Sequence, residues 1–317
     1  MKKFVLSVSV AFVLGLISIY VFIPGQFNIS TAIVIPASEN GTQRFALDKT
    51  HWPKWWNYSG DSTLPASKIQ TDSFTMKGDV YILTESFYKS AKIIIRHKNQ
   101  QVESNLMIIP LQIDSTGIEW KYSVTTSNNP FRRFNQYQEA KEIKKNMERV
   151  LSKLAAFLSR QDEVYGVHIE RTSMKDTLLV STKSVFSNYP GTSQIYQMVQ
   201  KIQAFIKTKA ATQTGNPIFN ISETEKKQYQ LMCAIPVDRV LTDNEAFVSK
   251  KMIKGSFMTA EVVGGDSTVK KASASLQQYF EDYRKTSMAI NFTMLITDRI
   301  YQPDTAKWIT RLYFPVY

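Results

Sequence analysis

Residues 308–316 read WITRLYFPV, and residues 229–237 read YQLMCAIPV. Laid over one another at a separation of 79 residues, they align Tyr229 with Trp308, Cys233 with Leu312, Ile235 with Phe314, Pro236 with Pro315 and Val237 with Val316. Each alternates large apolar residues with smaller or polar ones, as a strand does. Each then meets a proline, which cannot donate to a ladder and so marks a strand's end or edge. Cys233 is the single cysteine, which excludes an intrachain disulfide. It shares a strand face with Leu231 and Ile235, so it is expected to be a small buried apolar residue.

The echo extends inward. A strand at 178–185 precedes Tyr189-Pro190-Gly191 and a helix striped by Ile195, Met198, Val199, Ile202, Phe205 and Ile206, with strands at 217–221 and 229–237 behind it. A second run has a strand at 257–263, then Gly264-Gly265, then a helix striped by Ala272, Leu276, Tyr279, Phe280 and Tyr283, then strands at 289–296 and 309–316. The pattern predicts two βαββ units in tandem, their offset drifting between roughly 73 and 79 residues through loop differences.

The chain has 317 residues, 43% of them hydrophobic, which is enough for two domains beyond any anchor. Lys and Arg exceed Asp and Glu by 39 to 27, giving +12 spread along the chain. A dispersed excess reads as a solvated basic surface, and with no compact basic run and no helix-turn-helix segment no nucleic-acid partner is expected. Residues 4–23 are apolar and uncharged, roughly 30 Å of helix. Lys2 and Lys3 precede the run, and the next cation is Arg44. The positive-inside rule then predicts a single-pass signal anchor over residues 1–26, placed in the inner (cytoplasmic) membrane with the body extracytoplasmic, in the periplasm.

Residues 27–160 form the predicted first domain. A strand at 27–35 ends at Pro36, and helical spacing around Phe45 and Leu47 leads into WPKWW at 52–56. Strands are predicted at 80–88, 91–97, 102–113 and 117–125. In the last, Ile118, Trp120, Tyr122 and Val124 alternate with polar residues. Ile143, Met147, Val150, Leu154 and Phe157 then fall at helical spacing. The strand, the proline-alanine pair, WPKWW, the sheet, NPFRRF at 129–134 and the final helix together resemble the START-like polyketide cyclase (SRPBCC) superfamily. That resemblance implies a helix-grip fold with an apolar cavity between sheet and helix, where Trp120 would meet a ligand. Trp52, Trp55 and Trp56 are read as rim packing, with pocket lining or a bilayer-facing belt as the other readings.

After a linker at 161–177, residues 178–317 resemble the GyrI-like family, the effector-binding domain of AraC-type and MerR-type activators. The matching residues are the loops at 189–191 and 264–265, AINF at 289–292 and the closing YFPV. The resemblance implies a groove between two βαββ halves that takes amphipathic compounds. The family's acidic, tyrosine-containing segment is reduced here to Asp298, Tyr301 and a reordered Pro303-Asp304, so the resemblance does not carry a cationic-ligand preference onto this chain. The fold class expected is therefore α+β: a transmembrane helix, a helix-grip domain and a duplicated βαββ domain.

A groove ligand wants aromatic planes and one or two charges. Tyr189, Tyr229, Tyr301, Trp308, Arg311 and Tyr313 are the ligand-binding candidates in this half. His51, His97 and His168 have no metal-ligand partners at useful spacing, and no phosphate loop is present, so no metal or cofactor is expected. The function expected is membrane-tethered binding of small hydrophobic or amphipathic molecules or lipids. The alternative is a hydrolase with Glu261 or Asp298 as general base.

Overall fold

In the computed structural model, residues 2–56, 73–98, 100–174, 177–252, 254–287 and 289–316 are described. The chain divides into two compact units, Met1–Arg160 and Gln161–Tyr317.

The first unit begins with α1 (Lys2–Phe22). Among the described residues, however, no helix is long and apolar enough to cross a membrane. The single-pass anchor expected over residues 4–23, and the inner-membrane location drawn from it, are therefore corrected. Serines and a glycine punctuate the helix, and its end is tied to the domain by polar contacts. The Tyr20 hydroxyl donates to the Asn128 carbonyl at 2.5 Å, and Arg133 Nε donates to the Ile23 carbonyl at 2.7 Å.

Next come β1 (Gln26–Ile35), α2 (Glu39–Ala46), α3 (Trp52–Trp56), β2 (Phe74–Met76), β3 (Asp79–Ser86), β4 (Ser90–His97), β5 (Gln100–Gln112), β6 (Ser115–Thr125) and α4 (Pro130–Leu158). The strands form one antiparallel sheet in the order β1-β6-β5-β4-β3-β2. α4 starts where Asn129 accepts the Phe131 and Arg132 amides and Pro130 takes the first helical turn, where its missing N–H costs nothing. Ile143, Met147, Val150, Leu154 and Phe157 are all buried along α4.

Between sheet and helix the described residues pack closely around the tryptophans. Trp52, Trp55 and Trp120, with Ile93, Leu106 and Leu154, close on a void of about 10 Å³, the space of a single water. The indole N–H groups of Trp52 and Trp55 donate to the Ala46 and Phe45 carbonyls, and that of Trp120 donates to the Ser104 hydroxyl, so each ring is both buried and satisfied. Where the resemblance implies an apolar cavity, the described residues place packed side chains. Trp120, expected to meet a ligand, is a core residue 1% exposed.

The second unit is a mixed α+β domain built from α5 (Gln161–Tyr165), β7 (Glu170–Met174), β8 (Thr177–Phe186), α6 (Thr192–Thr208), β9 (Ile218–Glu223), β10 (Tyr229–Val237), β11 (Val248–Met252), β12 (Gly255–Val263), α7 (Asp266–Asp282), β13 (Phe292–Leu295) and β14 (Ile309–Val316). Its eight-stranded sheet runs β11-β8-β10-β9-β13-β14-β12-β7. α6 packs its stripe on Leu231, Cys233 and Ile235 of β10, and α7 packs on Met258, Ala260 and Val262 of β12. Gly264, at φ +138, opens the turn into α7. That conformation suits glycine, and a Cβ there would also sit 2.9 Å from the Thr268 hydroxyl.

The stretch expected as a linker, 161–177, carries α5 and β7, and β7 pairs with β12 as an edge strand of this sheet. β7 and β11 form the two edges, and their sequences, ERTSM and VSKKM, are polar. Such composition guards an exposed edge against mispairing and leaves no apolar alternation to read.

Candidate functional site

The sheet of the second unit is weakest at its middle. β9 and β13 pair only through Thr293 with Phe219 and Met294 with Ile218, whereas β10 and β8 pair over nine positions. Phe219 also pairs with Cys233, and Thr293 with Leu312, so these four residues share the helix-bearing face. Each helix covers its own half, and the seam between them is left as a groove.

The groove holds a cavity of about 670 Å³. Its apolar wall includes Ile195, Phe219, Ile221, Val269, Leu312 and Phe314. A second hollow of about 650 Å³ shares Asn220, Ile221, Gln277, Asn291 and Phe314 with the first and so continues it. The Asn220 side-chain amide donates to the Asn291 carbonyl at 2.9 Å and to its Oδ1 at 3.1 Å, bridging β9 to the chain entering β13 where the ladder has ended. Apolar walls with a few amides suit a ligand that is mostly hydrocarbon and carries one or two polar groups.

Arg299 stands at one end. Its side chain is 2% exposed, donating to Asp266 Oδ1 at 2.8 Å, to the Thr192 hydroxyl at 3.0 Å and to the Thr310 hydroxyl at 3.0 Å. The guanidinium lies 4.3 Å from the centre of the Trp308 ring, and Nε is buried without a hydrogen-bond partner. The charged side chains along both hollows are Asp266 and Glu281 against Lys270, Arg284, Lys285 and Arg299, two acids to four bases.

Of the residues expected at the site, Tyr189 lines the groove, and Tyr229 meets it edge to face at 5.4 Å. Burial, followed by the nearby Asp266 carboxylate, raises the Tyr189 phenol above its ordinary range. Trp308 backs Arg299 and donates to the Gln302 carbonyl at 2.7 Å. Arg311 and Tyr313 pair with Met294 and Phe292, out of phase with Leu312, and so lie on the sheet face away from the helices. Arg311 there bonds Glu261 at 2.5 Å, and Tyr313 stacks on Phe292 with centroids 4.8 Å apart. Tyr301 is 85% exposed. Asp298 is exposed and accepts the Ile300 amide. Glu261 and Asp298 are both exposed, whereas a general base works from a site that water does not fill.

Phe219, Asn220, Gln277, Asn291 and Arg299 are not among the site residues expected from the sequence, although Asn291 falls within the AINF motif. The alternation of Phe219 with Ile221 was the signal available for the wall. Arg299 sits in a polar loop, and its burial is set by Thr192, Asp266 and Thr310, whose distance in sequence hides it.

No family model matches the chain, and no curated protein is similar to it. Among solved structures, the chain is similar to the EcmrR C-terminal domain (16% identity, TM-score 0.42, covering 48% of this chain and 98% of that one). It is also similar to SAV2435 bound to tetraphenylphosphonium (14%, TM-score 0.32, 47% and 94%) and to a hydrolase from Listeria innocua (10%, TM-score 0.36, 47% and 91%). At such identities and scores, the functional reading rests on the chain's own residues.

Proposed function

We propose that the second unit binds small hydrophobic or amphipathic molecules in the groove between α6 and α7, as a GyrI-like effector-binding module of two duplicated βαββ halves. The observation that carries the reading is the seam itself. Two half-covered sheets joined through two residue pairs leave a hollow of about 670 Å³ with apolar walls and an amide bridge. The excess of bases along it favours neutral or anionic ligands over lipophilic cations.

Titrating the full chain with an anilinonaphthalene sulfonate and with a lipophilic phosphonium tests both parts. The sulfonate binds and is displaced by neutral amphipaths, while the phosphonium binds at least about tenfold more weakly. Tighter binding of the phosphonium removes the charge preference, and no binding of any probe removes the ligand.

A further inference from the structure

The first unit holds a polar cluster that its apolar core does not require. Asp79 opens β3 and His97 closes β4, side by side at one end of the sheet. Asp79, 1% exposed, meets His97 Nδ1 at 2.5 Å through one oxygen and accepts the Asn146 side-chain amide at 2.8 Å through the other. A carboxylate only accepts, so Nδ1 carries a hydrogen and the imidazole is locked with Nε2 on its far side.

Nε2 is buried, on a side chain 7% exposed, and has no hydrogen-bond partner. The Glu142 carboxylate lies 3.2 Å from it, off the line of a hydrogen bond, and is held at 2.8 Å by Lys98. Here a recess of about 340 Å³ opens, lined by Lys77, Lys98, Glu142, Lys145 and Arg149 beside His97. The recess lining therefore carries four cations against two carboxylates, Glu142 and the buried Asp79, which is engaged by His97 and Asn146. The cations converge from three places: the β2–β3 turn, where Lys77 has φ 50; the β4–β5 turn, where Lys98 has φ 51; and one face of α4, where Glu142, Lys145 and Arg149 follow at spacings of three and four. No carboxylate pairs with Lys77, Lys145 or Arg149 among the described residues. Asp79 and Glu142 lie at opposite nitrogens of the ring, so the cluster is no cation cage. Among the described residues no group is arranged to hold a metal.

We propose that this recess binds a small phosphate-class oxyanion. Its oxygens take the place now held by the half-exposed Glu142 carboxylate against His97 and Lys98, with Lys145 and Arg149 closing over it. In its imidazolium form His97 donates from Nε2, while Asp79 behind it offsets the ring's charge. A tetrahedral anion has enough acceptors to meet donors from several elements at once.

The test is calorimetric titration of the full chain with inorganic phosphate and, separately, glycerol phosphate, alongside nitrogen NMR of His97. Binding is expected with one or both, together with a shift of the Nε2 resonance. Phosphate binding marks a site for the free ion, and glycerol phosphate alone marks a phosphate group read on a larger molecule. Glu142→Gln, an exposed change that leaves the fold intact, removes the internal competitor and tightens binding several-fold. Lys145→Gln and Arg149→Gln each weaken it about tenfold. No heat and no Nε2 shift with either probe at tens of millimolar overturns the proposal, as does an affinity that Glu142→Gln fails to raise.

Discussion

The two units start from the same ingredients, an antiparallel sheet and amphipathic helices, and end with opposite interiors. In the first, a helix of 29 residues and three tryptophans fill the concave side down to a void of about 10 Å³. In the second, two helices of 17 residues each cover half of the sheet, and about 670 Å³ stays open at the seam. Apolar content does not distinguish them, since both sheets present buried aliphatic rows. The difference lies in the cover: one long helix over a continuous ladder seals it, and two short ones over a ladder nearly broken at β9–β13 cannot.

The hardest test of that contrast is to hollow the sealed unit. Trp120→Ala removes a fully buried indole and its bond to Ser104, and is expected to cost about 3–5 kcal/mol in urea unfolding. Added indole should recover part of the loss, because the new hollow would be dry and shaped for it. A cost under about 1 kcal/mol would mean that this core is not closed as described.

A second test concerns the covered part of the open unit. Burial under α6 pushes the Cys233 thiol up to about 12, from an ordinary value of 9.0. Above pH 9 the unfolded chain loses this proton and the folded chain keeps it, so stability is whole below pH 9 and falls as pH rises toward 12, by at most about 1.4 kcal/mol per unit. Cys233→Ala should flatten that alkaline slope in denaturation curves measured at successive pH. An unchanged slope would show the thiol to be open to solvent, and the half-sheet under α6 to be less sealed than the first unit.

Arg299→Met probes the end of the groove. It removes a buried guanidinium with three hydrogen-bond partners and a ring contact, but leaves an apolar stem and an Asp266 that water can reach. The expected loss is about 2 kcal/mol, read from the thermal midpoint. A loss near zero would imply that the buried, partnerless Nε offsets what the other bonds contribute.

Much of the frame was legible, because burial there follows period. The strands at 229–237 and 309–316 are found as β10 and β14, and the α4 stripe is buried at each position named for it. What escaped reading depends on tertiary surroundings. β7 and β11 are polar because they are edges. The Asp79–His97–Glu142 cluster joins residues far apart in sequence, so spacing alone left His97 without partners. The apolar run near the N-terminus reads as an anchor by composition, whereas its end is fixed to the first unit through the Tyr20 hydroxyl and the Ile23 carbonyl. Around the groove, Tyr189 stood out by type, whereas Arg299 is defined by what surrounds it.

The smallest effect on stability should come from the change that bears most directly on the comparison. Ser273 lies on α7 at the groove wall, half-buried, with the hollow beside it. Placing an indole there, Ser273→Trp, fills space that holds no side chain, so unfolding free energy should move by no more than about 1 kcal/mol, since no cavity is made and no packed residue is displaced. Affinity for the sulfonate probe should fall by about tenfold or more, because the substituent occupies the ligand's volume. In the first unit the same kind of addition against Trp120 would be overpacking and would show first as lost stability. If Ser273→Trp instead destabilises the chain while probe binding is kept, the open seam is a packed interface and the two interiors are alike after all.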